Sequence, residues 1–177
     1  MIKTISSTVK YENRWITVHE DIIERLSGAK GLYGFVEKID FVAVLAIEDG
    51  YIHLVEQYRY PIKQRSLELP MGSWTDSPNA DPLELVAGEL QEETGYQAAN
   101  IEKIGFHHVD NGTSTQGCHI FLATGLKFIG KKLDPEEEDL VSIKLSLADF
   151  EKQIVDGIIL DACTIASYSL AKLKGLI

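Results

Sequence analysis

One segment of the 177-residue chain, residues 81–95, limits the possible folds more than any other. Asp81 fits a helix N-cap, Pro82 fits the first helical position, and Gly95 fits the left-handed residue that ends a helix. The sequence therefore predicts a helix over residues 82–94. Its apolar residues recur at helical spacing and are predicted to form the buried face: Leu83, Val86, Ala87 and Leu90.

Runs of β-branched and aromatic residues predict a sheet for this helix to cover. Residues 41–47 and 51–57 meet at Asp49-Gly50, a pair that tolerates positive φ, so they predict a β-hairpin. Other strand-like runs are residues 15–19, 33–38, 66–69, 104–108, 118–126 and 141–145. Two more helices are predicted, over residues 146–155 and 161–174. We expect an α+β fold, a mixed sheet covered by helices on both faces.

Composition excludes several classes of function. The net charge is −10, which argues against DNA or RNA as a partner, although small phosphates can bind if divalent cations screen the repulsion. No apolar run is long enough to span a membrane, and the first ten residues do not resemble a secretion signal. Cys118 and Cys163 are far apart in sequence and fit packed, reduced thiols. We therefore expect a cytoplasmic protein with no membrane partner.

Three glutamates within one turn of the predicted helix point to chemistry. Glu89, Glu92 and Glu93 have i, i+3, i+4 spacing and therefore lie side by side, where their charges repel. Hard divalent cations prefer such clustered carboxylate oxygens and would remove the repulsion. The alternative is a solvated helix face without a metal. Spacing alone leaves both interpretations open.

The residues around the glutamates resemble a known family. Residues 88–96 (Gly-Glu-Leu-Gln-Glu-Glu-Thr-Gly-Tyr) resemble the second half of the Nudix box, and residues 68–72 (Glu-Leu-Pro-Met-Gly) resemble the strand end that opens it. Residues 54–59 and 156–164 look like two further motifs of the ADP-ribose pyrophosphatase branch of that family. The resemblance to the Nudix hydrolases runs from about residue 13 to residue 174.

The resemblance implies a fold, a metal and a reaction. The fold would be a Nudix-type α/β/α sandwich over residues 40–177, preceded by an antiparallel strand region over residues 1–39 through which a homodimer forms. Mg²⁺, or else Mn²⁺, would be bound by Glu89, Glu92, Glu93 and the backbone carbonyl of Met71. The substrate would be a nucleoside diphosphate sugar such as ADP-ribose, which is cleaved to AMP and a sugar phosphate.

The resemblance also suggests a general base. In this branch the base is a glutamate on an acidic loop before the last strand, which corresponds here to residues 134–139. Glu136 is the first candidate and Glu138 the second, and Glu93 is the third residue that we expect in the catalytic set. Solvated charge alone would also explain such a loop.

Four residues are candidates for substrate contacts. Arg59 ends a predicted strand and could fork onto phosphate oxygens, or it could form a structural ion pair with Glu56 or Glu68. Glu68 itself, at the opening of the box, is counted among the substrate-side residues. Trp15 and Tyr33 correspond to adenine-stacking aromatics of the branch, although aromatic rings on strands are more often simple packing, above all at Tyr33. The histidines His107, His108 and His119 show no metal-ligand spacing and are interpreted as strand packing.

The sequence departs from the family pattern at three positions, two in the box and one after it. Gly88 stands in place of an arginine, Ala80 in place of a glutamate, and Gln116 in place of a glutamate after the box. Each departure removes a charge and leaves the three metal glutamates in place. Three functions thus stay open: hydrolysis of a nucleotide sugar, hydrolysis of another nucleoside diphosphate compound, and binding of a nucleotide without turnover.

Overall fold

The computed structural model describes residues 1–74, 77, 80–133 and 138–177, which form two sheets and three α-helices. None of these helices is long and apolar enough to cross a membrane. The helices are α1 (Pro82–Glu89), α2 (Leu147–Val155) and α3 (Ala162–Leu173). The strands are β1 (Lys3–Glu12), β2 (Thr17–Glu24), β3 (Lys30–Glu37), β4 (Phe41–Glu48), β5 (Tyr51–Arg59), β6 (Gln64–Glu68), β7 (Met71–Gly72), β8 (Tyr96–His108), β9 (Gly117–Phe128) and β10 (Val141–Ser146).

The N-terminal sheet consists of β1, β2 and β3 in that order, all antiparallel. Strand β1 was not predicted from the sequence. All of its residues are exposed, so it lacks the alternation of buried and exposed side chains that marks a half-buried strand. The N-terminal sheet is tied to the rest of the chain where Val36 on β3 exchanges backbone hydrogen bonds of 2.8 and 3.0 Å with Thr113 and Thr115.

The main sheet has the strand order β10-β5-β4-β9-β8, with β6 paired to β5 and β7 paired to β4. Strands β4 and β9 are parallel and the other pairs are antiparallel, which confirms the predicted mixed sheet. The predicted hairpin between β4 and β5 is also present, since Asp49 and Gly50 both have positive φ, 52° and 78°. Strand β8 begins at Tyr96, well before the predicted residue 104, because its first half is mostly exposed and gives little hydrophobic signal.

Helices cover both faces of this sheet. Along β4, Val42, Val44 and Ala46 pack with α1, whereas Ala43 and Leu45 pack with α2 and α3. This alternation is the period-two pattern of a strand buried on both faces. The α/β/α sandwich expected from the sequence is confirmed, and α1 has a layer of its own.

The buried face of α1 differs from the predicted one. Leu83 is 47% exposed and Ala87 is exposed, whereas Leu85, Val86 and Leu90 are buried. The helix is rotated so that the side carrying Glu89 also faces the sheet. A pattern search that treats every glutamate as solvent-facing cannot find this orientation, because two of the buried positions are acidic.

The buried imidazole of His53 makes stability depend on pH. His53 on β5 packs against Tyr96 with ring centroids 4.4 Å apart. Its pKa is lowered because burial removes the hydration of the charged form and because Lys144 repels it. The imidazole thus stays neutral in the folded chain while the unfolded chain takes up a proton.

We therefore expect the free energy of unfolding to fall as the pH decreases through the unfolded-state pKa of about 6.5. One such group gives a slope of at most about 1.4 kcal/mol per pH unit. His53→Gln should reduce this slope in denaturant titrations between neutral and mildly acidic pH. The exposed His108→Gln variant is the control, and equal slopes in both variants would contradict the prediction.

Candidate active site

The helical segment that carries the glutamates begins and ends at the predicted capping residues, but its last turn is not α-helical. Asp81 caps α1 by accepting a 2.9 Å hydrogen bond from the amide of Leu83. After Glu89 the helix widens into a π-helical segment, Leu90–Thr94, and Gly95 ends it with φ 81°. Such π segments are frequent at functional sites because they shift side chains around the helix axis.

Two of the three predicted metal glutamates are buried at one place. Glu93 is fully buried and its Oε2 accepts a 2.9 Å hydrogen bond from the amide of Met71. Glu89 is 6% exposed, and its carboxylate lies over the Cα of Gly72. Both carboxylates therefore converge on the short strand β7, which pairs with β4 at the sheet centre. Glu92 is half-buried on the same turn.

Gly72 is required for this convergence. A Cβ atom placed on Gly72 would lie 2.4 Å from the Cδ and Oε1 atoms of Glu89. Real Cβ atoms do not approach other atoms so closely, so any side chain here would push the Glu89 carboxylate out of its position. The glycine that ends the Glu-Leu-Pro-Met-Gly strand thus makes room for a carboxylate.

The residues present fit a hard divalent cation. Two like-charged carboxylates buried together repel each other strongly, and moving each one out of water is costly. A divalent cation bound between carboxylate and carbonyl oxygens offsets both costs. Glu89, Glu92 and Glu93 would supply the carboxylates, and Met71 lies beside Glu93, to which its amide donates a hydrogen bond.

An ion pair between Arg59 and Glu68 borders the short strand β7. Arg59, at the end of β5, donates to Glu68 from Nε to Oε1 at 3.0 Å and from Nη2 to Oε2 at 2.5 Å. Of the two structural partners considered for Arg59, Glu68 is therefore the observed one. Arg59 and Glu68 also line an open pocket together with Met71 and Asp161.

Comparison with known proteins agrees with this architecture. The family model of the nucleoside diphosphate sugar hydrolase N-terminal domain matches residues 2–36. An ADP-ribose pyrophosphatase of Mycobacterium tuberculosis is 30% identical over 166 residues, which cover 93% of this chain and 80% of that protein. The chain belongs to the Nudix hydrolase family, in its ADP-ribose pyrophosphatase-like branch.

Two further comparisons agree with this assignment. An ADP-ribose pyrophosphatase of Bacillus subtilis is 29% identical over 174 residues, covering 97% of this chain and 93% of that protein. The crystal structure of an ADP compounds hydrolase superposes with a TM-score of 0.87 over 99% of this chain and 95% of that one, at 20% identity. At that identity the superposition establishes the fold, and the sequence relatives establish the family. The predicted enzyme class, a Nudix hydrolase of phosphoric anhydride bonds, is confirmed at this level.

The structure gives a physical reason for the missing arginine of the Nudix box. A Cβ atom on Gly88 would lie 2.7 Å from Cζ2 of Trp74. In this Nudix hydrolase the Trp74 indole thus occupies the space into which a side chain at position 88 would project. The side chain of Trp74, from a neighbouring segment, thus fills the place of the arginine side chain that Gly88 lacks. Trp74 was not singled out from the sequence.

The departure at Gln116 also has a structural explanation. Its Nε2 donates a 3.0 Å hydrogen bond to the carbonyl oxygen of Ile39, at the junction between the N-terminal sheet and the main sheet. A glutamate has no donor for this carbonyl. Gln116 therefore holds the loop that follows β8 against the start of the main domain.

The acidic loop is anchored at its C-terminal end. Asp139 Oδ2 accepts hydrogen bonds from the amide of Tyr58 at 3.0 Å and from Arg65 at 2.9 Å. The Tyr58 amide and the Arg65 guanidinium lower the pKa of Asp139. Glu138, the second candidate base, is exposed and directly precedes this anchor, beside the strand that carries Arg59. Glu136, the first candidate base, lies outside the described residues.

The two aromatic candidates lie on the N-terminal side of the molecule. Trp15 is 50% exposed, with the guanidinium of Arg14 lying 4.3 Å from its ring centroid. It lines a different pocket from Arg59, with Glu37, Lys38 and Thr115 among its neighbours. Tyr33 is 40% exposed and its hydroxyl donates a 2.7 Å hydrogen bond to the carbonyl oxygen of Gly112. Neither ring packs in the core of the chain.

Loss of the Arg59 guanidinium should destabilise the fold. Glu68 is 3% exposed, so the variant Arg59→Met would leave a buried carboxylate without its ion pair. We expect the free energy of unfolding to drop by about 2 kcal/mol in urea titrations, since Arg59 itself is partly solvated. The control is Arg65→Met, whose side chain is equally exposed at 39% and whose partners Glu56 and Asp139 are both accessible to water. An equal loss in the two variants would contradict the prediction.

Proposed function

We propose that this protein is a magnesium-dependent pyrophosphohydrolase that cleaves the diphosphate of a nucleoside diphosphate sugar, with ADP-ribose as its substrate. The observation that carries the proposal is the convergence of the buried carboxylates of Glu89 and Glu93 on Met71 and Gly72. The products would be AMP and a sugar phosphate, formed by attack of water on one phosphorus. No covalent intermediate with the protein is required.

The proposed metal ligands are Glu89, Glu92, Glu93 and the carbonyl of Met71. Mg²⁺, or Mn²⁺ in its place, would supply positive charge against the charge that develops on the diphosphate and would lower the pKa of an attacking water. The protein holds Glu93 in place at two points. The Met71 amide donates to its carboxylate, and Ser142 Oγ donates a 2.7 Å hydrogen bond to its backbone carbonyl oxygen. Ligands held in this way bind a cation without reorganising.

The proposed base is Glu136, with Glu138 as the alternative. The base has to come within hydrogen-bond distance of the attacking water once the substrate is bound. The anchoring of Asp139 to Tyr58 and Arg65 supports this role for the acidic loop, because it fixes one loop end next to β5.

The proposed substrate contacts are Arg59 and Glu68 for the diphosphate, and Trp15 and Tyr33 for the nucleobase. Arg59 lines the open pocket beside Met71; its Nε and Nη2 are bonded to Glu68, so Nη1 is the nitrogen that we propose for contact with phosphate oxygens. The exposure of Trp15 and Tyr33 supports a role for them outside their own chain's core.

We propose that residues 1–39 form a homodimer contact through which these rings complete a site, and that residues 40–177 form the hydrolase domain. Free thiols at Cys118 and Cys163 fit a cytoplasmic location.

A nucleotide-binding protein without turnover is the second candidate. The replacements at Gly88, Ala80 and Gln116 favour it, because each removes a charged group that the family carries in its box or in the loop after it. Against it, Gly88 is compensated sterically by Trp74 and Gln116 has a structural hydrogen bond. The third candidate is hydrolysis of GDP-mannose, a dinucleotide polyphosphate or a damaged nucleoside triphosphate. It would use the same metal site with different contacts to the nucleobase.

One assay separates the three candidates. The purified chain is incubated with Mg²⁺ and ADP-ribose, GDP-mannose, a diadenosine polyphosphate or a nucleoside triphosphate, and the released nucleotides are quantified. We expect AMP from ADP-ribose at the highest kcat/KM and none after chelation of the divalent ions. Faster turnover of another compound would move the function to that compound. Saturable binding of ADP-ribose with no product would favour the binding protein.

A further inference from the structure

Three ligands that suit a soft metal lie together in the core layer between the main sheet and α3. One ligand atom from each of His107, Cys118 and Cys163 lies within 4.8 Å of the other two. The two sulfur atoms are 3.4 Å apart. Cys118 is fully buried and Cys163 is nearly so, whereas His107 is half-buried and leaves an approach from solvent.

The fold brings these residues together from distant parts of the sequence. His107 and Cys118 are direct partners in the antiparallel register of β8 and β9, so their side chains share one face of the sheet. Asp161 caps α3 by accepting a 2.7 Å hydrogen bond from the amide of Thr164, which puts Cys163 in the first helical turn above that pair. The cysteines were predicted from the sequence to be packed, reduced thiols; both are buried and free, and the structure adds that they contact each other across 45 residues.

We propose that His107, Cys118 and Cys163 form a binding site for a thiophilic cation, Zn²⁺, distinct from the carboxylate site on α1. Tetrahedral zinc, with Zn–S near 2.3 Å and Zn–N near 2.0 Å, separates its ligand atoms by roughly 3.5–3.8 Å. The two sulfurs need to separate by a few tenths of an ångström, and the imidazole needs a small rotation toward them. Thiolate and imidazole ligands select zinc over magnesium.

The electrostatics of this site favour a cation. Burial lowers the pKa of His107, so its imidazole is neutral and can bind a metal, and the carboxylate of Asp161, which opposes this shift, places negative charge near the cluster. The hydrogen bond from Cys163 and burial raise the pKa of Cys118, so this thiol carries a proton in the metal-free chain. Binding of Zn²⁺ by two thiolates would release the thiol protons, and the two thiolates would neutralise the ion. The site would thus bind more tightly as the pH rises, and it would fasten α3 to β8 and β9.

Cobalt substitution tests the site directly and does not depend on the proposed hydrolysis. The full chain is reduced, freed of metal with a chelator and titrated with Co²⁺. We expect a sulfur-to-cobalt charge-transfer band and tetrahedral ligand-field absorption that saturate at one ion per chain. Zn²⁺ should abolish both signals and raise the melting temperature, and excess Mg²⁺ should leave them unchanged.

Variants distinguish this site from packed thiols and from the carboxylate site. His107→Gln, which changes a half-buried side chain, should weaken Co²⁺ binding by more than about tenfold, and Cys118→Ser should abolish the charge-transfer band. Glu93→Gln and the neighbouring exposed His108→Gln should bind as the parent does. The proposal is overturned if the reduced parent shows no band, if His107→Gln binds as tightly as the parent, or if the thiols form a disulfide on mild oxidation while the reduced chain binds no Co²⁺.

Discussion

The variant Glu93→Gln is expected to lose roughly 10²–10³-fold in kcat for ADP-ribose hydrolysis, about the effect of losing one preorganised group that stabilises transition-state charge. The substitution keeps the size of the side chain and can keep the hydrogen bond from the Met71 amide, because the glutamine carbonyl oxygen is also an acceptor. It removes the negative charge of the carboxylate that we propose as a metal ligand. AMP release under saturating Mg²⁺ is the measurement.

The control for this variant is on the same helix. Glu84 lies in the first turn of α1 and is exposed, so Glu84→Gln should turn over as the parent does. Circular dichroism and the urea midpoint of both variants establish that the fold is retained. Parent-like turnover of Glu93→Gln would show that the buried carboxylate has no part in the chemistry.

Gly72→Ala is expected to raise the Mg²⁺ concentration for half-maximal activity by roughly 10–100-fold, the range found when the support of a metal ligand is removed. The added Cβ would lie 2.4 Å from the Glu89 carboxylate, so that carboxylate has to move away from β7. The backbone itself has no need to change, because alanine brings no other group to the strand.

A matched glycine tests the specificity of this effect. A Cβ on Gly34, in the N-terminal sheet, would lie 3.9 Å from the carbonyl oxygen of His19, an ordinary contact. Gly34→Ala should therefore keep the parent's Mg²⁺ dependence. If Gly72→Ala also keeps it, the position of Glu89 over Gly72 does not matter for metal binding.

Local signals in the sequence predicted the frame of this molecule well. The Asp81 and Gly95 caps fixed both ends of the functional helix, because capping depends on residues next to the helix itself. The hairpin at Asp49-Gly50 formed for the same reason. The glutamate cluster was also found from spacing, and its resemblance to the Nudix box agrees with the relatives.

Features that depend on tertiary contacts could not be predicted. Leu85 is buried instead of Leu83 because the helix turns its glutamates toward Gly72, a neighbour that no local pattern reveals. Trp74 fills the space above Gly88 from a different segment of the chain. Strand β1 has no buried residue and so no hydrophobic periodicity. In each case the information lies in the partner of a residue and not in its sequence neighbours.

The most direct measurement is a crystal structure of the chain soaked with Mg²⁺ and an ADP-ribose analogue whose bridging oxygen is replaced by methylene. We expect metal density between the analogue's two phosphates and the carboxylates of Glu89, Glu92 and Glu93. Density for the analogue at another surface, with solvent alone beside these three side chains, would contradict the proposed metal site and the reaction built on it.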